Sequence, residues 1–330
     1  MFYKRDIDIV FIGTAIMDSI IKGFKPEPIS VTGYRAESCS LNIGGEAVNG
    51  SIASAKLGIK TSILCHLGRD AAGDIIAGEL ERHHVDMSCV LRSDEHATPI
   101  TTMFVADDGS RKSITNSAHR YNFHPELHSD MFAEAKAVVL GSLFRAPFDD
   151  PKVVRSVVSA AHEKGILVFA DTKLPNFTKM NLDDIADSLP LIDYITPNED
   201  EARYCTGEDV PEKMADAFLA KGPRNVIIKL GGKGCYFKNK DEEIYLPEYD
   251  VDAVDATGAG DNFLAGFASE ILRGSSNKEA LEFANACGAI CNTAVGASAA
   301  LKNREQVIEF MKDSGDYQVL GSRRIQRQIN

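Results

Sequence analysis

The residues best suited to chemistry lie in one short segment, positions 255–263, which read Asp-Ala-Thr-Gly-Ala-Gly-Asp-Asn-Phe. Its small residues Gly258, Ala259 and Gly260 predict a tight turn whose backbone N–H groups converge on one point. A helical pattern follows directly, and the N-terminus of a helix adds partial positive charge at the same point. The segment therefore predicts a binding site for phosphate, or for negative charge developing on a phosphate.

Asp261 stands at the mouth of this predicted anion site. A carboxylate in that position can act as a general base and accept the proton of a hydroxyl group that attacks phosphorus. Asp is also a favoured residue where helices begin, so a purely structural capping role is the alternative. The residues alone leave both interpretations open.

The segment 255–261 resembles the C-terminal signature of the PfkB (ribokinase-like) carbohydrate kinases, with Ala256 in place of the usual Thr or Ser. Further elements of that family stand in the family's order: Gly-Gly-Glu-Ala-Val-Asn at 44–49, Leu-Gly-Arg-Asp-Ala-Ala-Gly at 67–73, Pro-Asn-Glu-Asp-Glu at 197–201 and Ile-Lys-Leu-Gly-Gly-Lys-Gly at 228–234. The chain is identified as a member of this family. The resemblance implies an ATP-dependent sugar kinase with a doubly wound, mostly parallel α/β sheet and a small β-sheet lid.

The resemblance also implies roles on the nucleotide side. Asp261 would be the general base, and the N–H groups of 258–260 would stabilise the phosphoryl group in transfer. Asn198 and Glu201 would hold Mg²⁺ through water molecules, together with the ATP phosphates. The other implied nucleotide contacts are Lys229, Gly231, Gly232, Gly234 and Asn285. A solvated lysine at a strand end, and a core or surface asparagine, are the simpler explanations of Lys229 and Asn285.

On the sugar side, the resemblance implies that Asp18 binds sugar hydroxyls and that Gly44, Gly45 and Asn49 complete the pocket wall. Asp18 as a surface acid is the alternative. Relatives in the family often hold a monovalent cation beside the anion site, and the resemblance places K⁺ here near Asp255, Thr257 and the loop at 292–297. The sequence itself shows no ion.

Two departures from the ribokinase pattern concern the substrate. Ribokinases carry a basic residue where this chain has Glu46 and an asparagine where it has Ile16, which argues against a ribose pocket of that design. The segment after the predicted strand at 137–141 also lacks the expected acid. We hypothesise that Arg145 or Lys173 binds a carboxylate or phosphate on the substrate, with a surface location as the alternative for both.

The hydrophobic pattern predicts how these segments are positioned. Apolar runs at 7–12, 61–67, 137–141, 166–170, 194–196 and 226–230 predict buried strands, and most alternate with helical patterns. Such alternation predicts a parallel sheet covered on both faces. The segments 88–91, 100–106 and 112–115 are short and lack intervening helices, so they predict hairpin strands. We expect one domain over 1–330, with the lid formed within about 14–45 and 88–120.

Composition excludes several classes of protein. The 330 residues include 36 basic and 48 acidic side chains, a net charge of −12, which argues against a nucleic-acid partner. No apolar run reaches the ~18 residues of a membrane span. Seven scattered cysteines predict reduced thiols and a cytoplasmic location. An exposed apolar face on the lid would favour a homodimer.

Three other functions are the alternatives to a sugar kinase. A nucleoside kinase of the same fold would need an apolar wall for the base, which Ile16, Met103 and Phe104 can supply. A dinucleotide-binding oxidoreductase is disfavoured because no Gly-x-Gly-x-x-Gly follows the first predicted strand. A non-catalytic sugar sensor has no need of a base at position 261.

Overall fold

The computed structural model describes residues 6–23, 35–106, 111–116 and 123–314. The strands are β1 (Ile9–Ile12), β2 (Ile16–Lys22), β3 (Ser38–Gly44), β4 (Thr61–Gly68), β5 (Val90–Ser93), β6 (Ile100–Val105), β7 (Arg111–Thr115), β8 (Ala137–Leu143), β9 (Leu167–Thr172), β10 (Tyr194–Ile195), β11 (Asn225–Lys229), β12 (Cys235–Asn239) and β13 (Glu243–Leu246). The helices are α1 (Glu46–Lys56), α2 (Ala71–Arg82), α3 (Pro151–Glu163), α4 (Glu199–Thr206), α5 (Pro211–Leu219), α6 (Ala259–Arg273), α7 (Asn277–Cys291) and α8 (Arg304–Asp313).

The main sheet has nine strands in the order β13-β12-β11-β10-β9-β8-β1-β4-β5. The strands from β11 to β5 pair in parallel, whereas β12 and β13 add an antiparallel edge. Strands β1, β4 and β8 are buried along their whole length, as expected when helices cover both faces. This confirms the predicted doubly wound α/β fold.

Alternate side chains of β1 enter two separate hydrophobic cores. Ile9 and Phe11 pack with apolar residues of α1, α6 and α7 on one face. Val10 and Ile12 pack with residues of α3 and α5 on the other. A continuous apolar run in the sequence is thus explained by a strand that is buried on both sides.

A second, four-stranded sheet has the order β3-β2-β6-β7. The prediction that residues 88–91 contribute a hairpin strand to this sheet was wrong. Residues 90–93 form β5, which pairs in parallel with β4, Cys65 opposite Val90, at the edge of the main sheet. Turn residues delimit a strand but do not select its partner, because pairing depends on contacts between distant segments.

The base of the second sheet is tied to the main domain through Thr98. Its backbone N–H donates to Asp70 Oδ2 at 2.7 Å, and its Oγ1 accepts from the Gly68 N–H at 2.9 Å. Asp70 Oδ1 also accepts from the Gly73 N–H at the start of α2. The segment 67–73, quoted above as a family element, therefore anchors the second sheet.

All seven cysteines are free thiols, and most are buried. Among the described residues, every helix is too short or too polar to cross a bilayer.

Candidate active site

The turn at 256–260 leads directly into α6. Gly258 precedes the helix with φ 79° and ψ 0°, a left-handed conformation that favours glycine. A Cβ at this position would lie 2.3 Å from Ala297 Cβ, so the loop at 292–297 also requires a glycine here. Asp261 occupies the first turn of α6 and is half-buried. The structure thus confirms the predicted turn and the helix that follows it, while the anion site stays a prediction.

Side chains of α6 and of the segment before the turn hold it against the loop at 292–297. Asn262 Nδ2 donates to the carbonyl oxygens of Gly258, at 2.8 Å, and Ala297, at 2.7 Å. Asp255 Oδ1 accepts from the N–H and Oγ1 of Thr257, and its Oδ2 accepts from the Gly296 N–H at 3.0 Å. Sequence reasoning assigned no role to Asn262. Its position directly after the predicted base Asp261 is the feature of the sequence that could have indicated a role in the site.

One of the three predicted anion-binding N–H groups is already engaged within the turn. The Ala259 N–H donates to the Ala256 carbonyl at 3.2 Å. It can contact an anion only by sharing that hydrogen bond. The predicted anion site would therefore depend mainly on the N–H groups of Gly258 and Gly260.

Asp261 is linked to the N-terminal half of the chain. Asn49 of α1 donates from Nδ2 to Asp261 Oδ2 at 2.8 Å, across a sequence separation of 212 residues. Burial raises the pKa of Asp261 to about 6, Lys173 acts to lower it and Glu46 acts to raise it. A carboxylate with a pKa near 6 is ionised at neutral pH and is a stronger base than an ordinary aspartate.

The general-base role predicted above for Asp261 implies that activity is lost in acid with an apparent pKa near 6. The Asp261 carboxylate must be ionised to accept a proton, and its pKa of about 6 means that it protonates as the pH falls through that value. A profile of log kcat/KM against pH should rise with pH and level off above about pH 7. Burial, with a contribution from Glu46, also raises the pKa of Asp18 to about 6. If Asp261 is the source of the loss in acid, the rising part of the profile, its acid limb, should stay near pH 6 in Asp18→Asn. An acid limb near pH 4 in both the wild type and Asp18→Asn would contradict the assignment to Asp261.

A cleft of about 500 Å³ opens in front of Asp261. Its lining includes every nucleotide-side residue predicted above: Asn198, Glu201, Lys229, Gly231, Gly232, Gly234 and Asn285. Gly258, Ala259, Gly260 and Asp261 line the same cleft, together with Lys173 and Glu248. Segments that are far apart in sequence meet here because the parallel strands β9, β10 and β11 all end at the same edge of the sheet.

Asn198 and Glu201 have a clear structural role at the start of α4. The Asn198 side chain accepts from the Glu201 N–H, and Glu201 Oε2 accepts from the Asn198 N–H at 2.9 Å, which completes a capping box. Glu201 Oε2 also accepts from Thr172 Oγ1. Burial, and then the charge of Asp171, raise the pKa of Glu201. The segment 197–201 is therefore rigid and presents a carboxylate at the cleft.

Lys229 reaches the cleft in an ion pair with Asp171. Its ammonium donates to Asp171 Oδ1 at 2.7 Å and to Oδ2 at 2.9 Å, and Asp171 is 2% exposed. Sequence reasoning missed Asp171, although it directly follows a predicted strand. Asn285 is similarly engaged, since its Nδ2 donates to the Pro247 carbonyl at 3.2 Å.

The predicted sugar-side residues lie where β2 and β3 meet α1. A Cβ on Gly44 would lie 2.3 Å from Asp18 Oδ2, and Gly45 adopts φ 97° directly before α1. Arg145 lines a separate cavity of about 330 Å³ with Thr14, Ile16, Glu46 and residues of β6 and β7. The Arg145 guanidinium donates to the Leu174 carbonyl. Of Arg145 and Lys173, the two basic residues predicted to bind the substrate, Arg145 lines this cavity and Lys173 lines the larger cleft.

Comparison with known proteins decides the family. A model described as pfkB family carbohydrate kinase matches residues 6–304. The chain belongs to the pfkB family of carbohydrate kinases. It is accordingly a phosphotransferase with an alcohol group as acceptor, an ATP-dependent sugar kinase.

Named relatives of this PfkB-family kinase include sugar and sugar-acid kinases. It is 30% identical over 304 residues to a 2-dehydro-3-deoxygluconokinase of Bacillus subtilis, covering 86% of this chain and 93% of that protein. It is 27% identical over 275 residues to a ribokinase of Haemophilus influenzae, covering 82% and 87%. The structure of an Arabidopsis thaliana ribokinase complexed with ribose and ATP superposes with a TM-score of 0.82 at 25% identity, over 93% of this chain and 99% of that one.

Within the described parts of the chain, no three His, Cys, Asp or Glu side chains are grouped closely enough to hold a metal ion.

Proposed function

We propose that Asp261 takes the proton from a sugar hydroxyl while the Gly258–Gly260 turn stabilises the phosphoryl group in transfer. The observation that carries this proposal is the position of Asp261, at the end of the nucleotide cleft and hydrogen-bonded to Asn49 of the sugar-side segment. The hydroxyl oxygen forms a bond to the γ-phosphorus as the bond to the β,γ-bridging oxygen breaks. The hydroxyl proton passes to Asp261, and the electron pair of the broken bond leaves with ADP.

A Mg²⁺ ion fits the nucleotide end of the cleft. Glu201 offers a carboxylate and Asn198 a polar side chain at the start of α4, and the nucleotide phosphates would supply further oxygen ligands. Mg²⁺ retains much of its hydration, so one or two protein side chains acting through water are sufficient. The ion neutralises charge on the phosphates.

A monovalent cation such as K⁺ is proposed beside the same turn. Asp255 and Thr257 lie against the loop at 292–297, as that proposal requires. Both carboxylate oxygens of Asp255 accept hydrogen bonds, so backbone carbonyl oxygens would provide most of the ligands. Assays in KCl and in choline chloride at equal ionic strength test this proposal directly.

We propose a sugar with an anionic group as the substrate class, bound through Arg145. The cavity that Arg145 lines also contains Glu46 and Thr14, which hydrogen-bond to each other at 2.9 Å and offer polar atoms to hydroxyl groups. The similarity to a sugar-acid kinase supports this choice.

Arg145→Ala should raise KM for an acidic sugar by about tenfold or more, because a charge-assisted hydrogen bond contributes about 1.5–3 kcal/mol. The KM for ATP should not change. Arg155→Ala, on the exposed side of α3, serves as the matched control. An unchanged KM for the acidic sugar in Arg145→Ala would refute the role of Arg145.

The first experiment is an ADP-release assay with MgATP over a panel of neutral sugars, sugar acids, sugar phosphates and nucleosides. Selective turnover of acidic sugars supports the proposed substrate class. Preference for a nucleoside would instead assign the cavity wall around Ile16 to a base. Turnover of no compound on the panel would favour the non-catalytic sensor.

The second sheet is proposed to act as a lid over the sugar and as a dimer interface. Leu41, Ile100 and Ile114 are large apolar residues of this sheet with exposed side chains, which supports association of two copies. Light scattering after size-exclusion chromatography tests the homodimer.

The proposed location is the cytoplasm, which the free thiols support.

A further inference from the structure

Lys173 lies at the junction of the nucleotide and sugar sides of the site. It directly follows β9, and its backbone N–H donates to the Leu143 carbonyl at the end of β8 at 3.0 Å. Its side chain lines the nucleotide cleft with Asp261 and the Gly258–Gly260 turn. The backbone at 173 is therefore fixed by the two adjacent strand ends.

Carboxylates from both sides of the site act electrostatically on the charge of Lys173. The acids that act on it are Asp261, Glu46, Asp171 and Glu201. Glu46 belongs to the sugar-side cavity, Glu201 to the nucleotide cleft, and Asp261 is the proposed base between them. A cation that interacts with all three lies where the γ-phosphate of ATP must meet the acceptor hydroxyl.

The two lysines of the cleft differ in what they already bind. Lys229 donates to both oxygens of the buried Asp171. Within the described residues, the Lys173 ammonium has no side-chain or backbone acceptor within hydrogen-bond distance, although the residue is half-buried. Its three N–H donors are therefore available to a bound ligand.

We propose that Lys173 binds the γ-phosphate of ATP during transfer and is thus a catalytic residue of this kinase. A phosphate group supplies the acceptor oxygens that the ammonium lacks, and the charge–charge contact strengthens as negative charge shifts within the transferring group. Lys229 acts differently, through its ion pair with Asp171, which links the end of β11 to the end of β9 across β10. The proposal rests on the kinase function stated above and adds a residue to it.

The decisive test compares nucleotides with and without a γ-phosphate. Isothermal titration should show that Lys173→Met weakens binding of the non-hydrolysable MgAMPPNP by about 10- to 100-fold and leaves the Kd of MgADP within about threefold. kcat with the best substrate of the panel should fall by at least about 100-fold. Lys173→Arg should recover part of both losses because it retains the charge. Lys164→Met, at the exposed end of α3, is the matched control and should resemble the wild type.

A second measurement reports on the base. The groups that act on Asp261 are Lys173, which follows β9, Glu46 and Asn49 of α1, and Asp171 of β9. Among these, Lys173 is the cation, so its removal should move the acid limb of kcat to higher pH. The other lysine near the turn, Lys229, stays paired with Asp171 in the Lys173 variants. A shift of the acid limb in these variants therefore reports on Lys173.

Several outcomes would overturn the proposal. Equal weakening of MgADP and MgAMPPNP in Lys173→Met would mean that Lys173 only shapes the cleft. Unchanged kcat and unchanged MgAMPPNP binding would remove Lys173 from the reaction. Melting temperatures of both Lys173 variants identify any loss of folding, and Lys173→Arg keeps the comparison informative in that case. If the wild type phosphorylates nothing on the panel but the nucleotide discrimination still depends on Lys173, the proposed function and the catalytic role of Lys173 both fail, and only its binding of the γ-phosphate stands.

Discussion

Asp261→Asn is expected to lower kcat by about 10²- to 10⁴-fold, the range that general-base catalysis contributes. The replacement keeps the shape of the side chain and an oxygen that can accept the 2.8 Å hydrogen bond from Asn49. It removes the negative charge of the side chain and with it the capacity to take the hydroxyl proton. The KM for ATP should therefore change little. Steady-state kinetics at pH 8, where the Asp261 carboxylate is ionised, give the cleanest comparison.

Two controls separate loss of chemistry from loss of structure in Asp261→Asn. Asp252→Asn changes an exposed acid on the approach to the same turn and should keep full activity. The melting temperature of Asp261→Asn at pH 8 should not fall, because burial disfavours the ionised form of Asp261, as its raised pKa indicates. A kcat within tenfold of the wild type would leave Asp261 with a structural role only, through its hydrogen bond with Asn49, and refute the proposed mechanism.

Asp171→Asn is expected to lower the free energy of unfolding by about 3–5 kcal/mol, the cost of leaving one partner of a buried ion pair without its counter-charge. Asp171 is 2% exposed, and its Oδ1 accepts from Thr196 Oγ1 at 3.0 Å as well as from Lys229. The Lys229 side chain is 13% exposed and has little access to water. Urea denaturation curves of the two proteins give the difference in unfolding free energy.

The surface ion pair between Asp209 and Arg203 provides the matched control. The Nε–Oδ1 distance is 2.7 Å, similar to that of the buried pair, but the two side chains are 81% and 41% exposed. Asp209→Asn should therefore lower the unfolding free energy by less than about 1 kcal/mol. The double replacement Asp171→Leu with Lys229→Met should recover much of the loss, since no charge is then left unpaired. A loss below 1 kcal/mol in Asp171→Asn would show that water or another anion compensates Lys229.

Much of the fold was predictable because its signals are local. The runs at 7–12, 61–67 and 137–141 are apolar along their length, and the structure buries them as β1, β4 and β8 between two layers of helices. The partner of β5 was not predictable. Both candidate sheets accept a short strand bounded by turn residues, and only the packing of β4 against residues 90–93 distinguishes them.

The candidate site likewise has features that depend on local sequence and features that depend on tertiary contacts. The sequence by itself determined the turn at 258–260 and the capping box at 198–201, because backbone conformation and helix capping depend on neighbouring residues. Only the tertiary structure brought Asn49 to Asp261, paired Lys229 with Asp171 and left the Lys173 ammonium without a hydrogen-bond acceptor among the described residues. The reason is physical: parallel strands that are distant in sequence end at a common edge, and the charges assembled there set one another's pKa and partners.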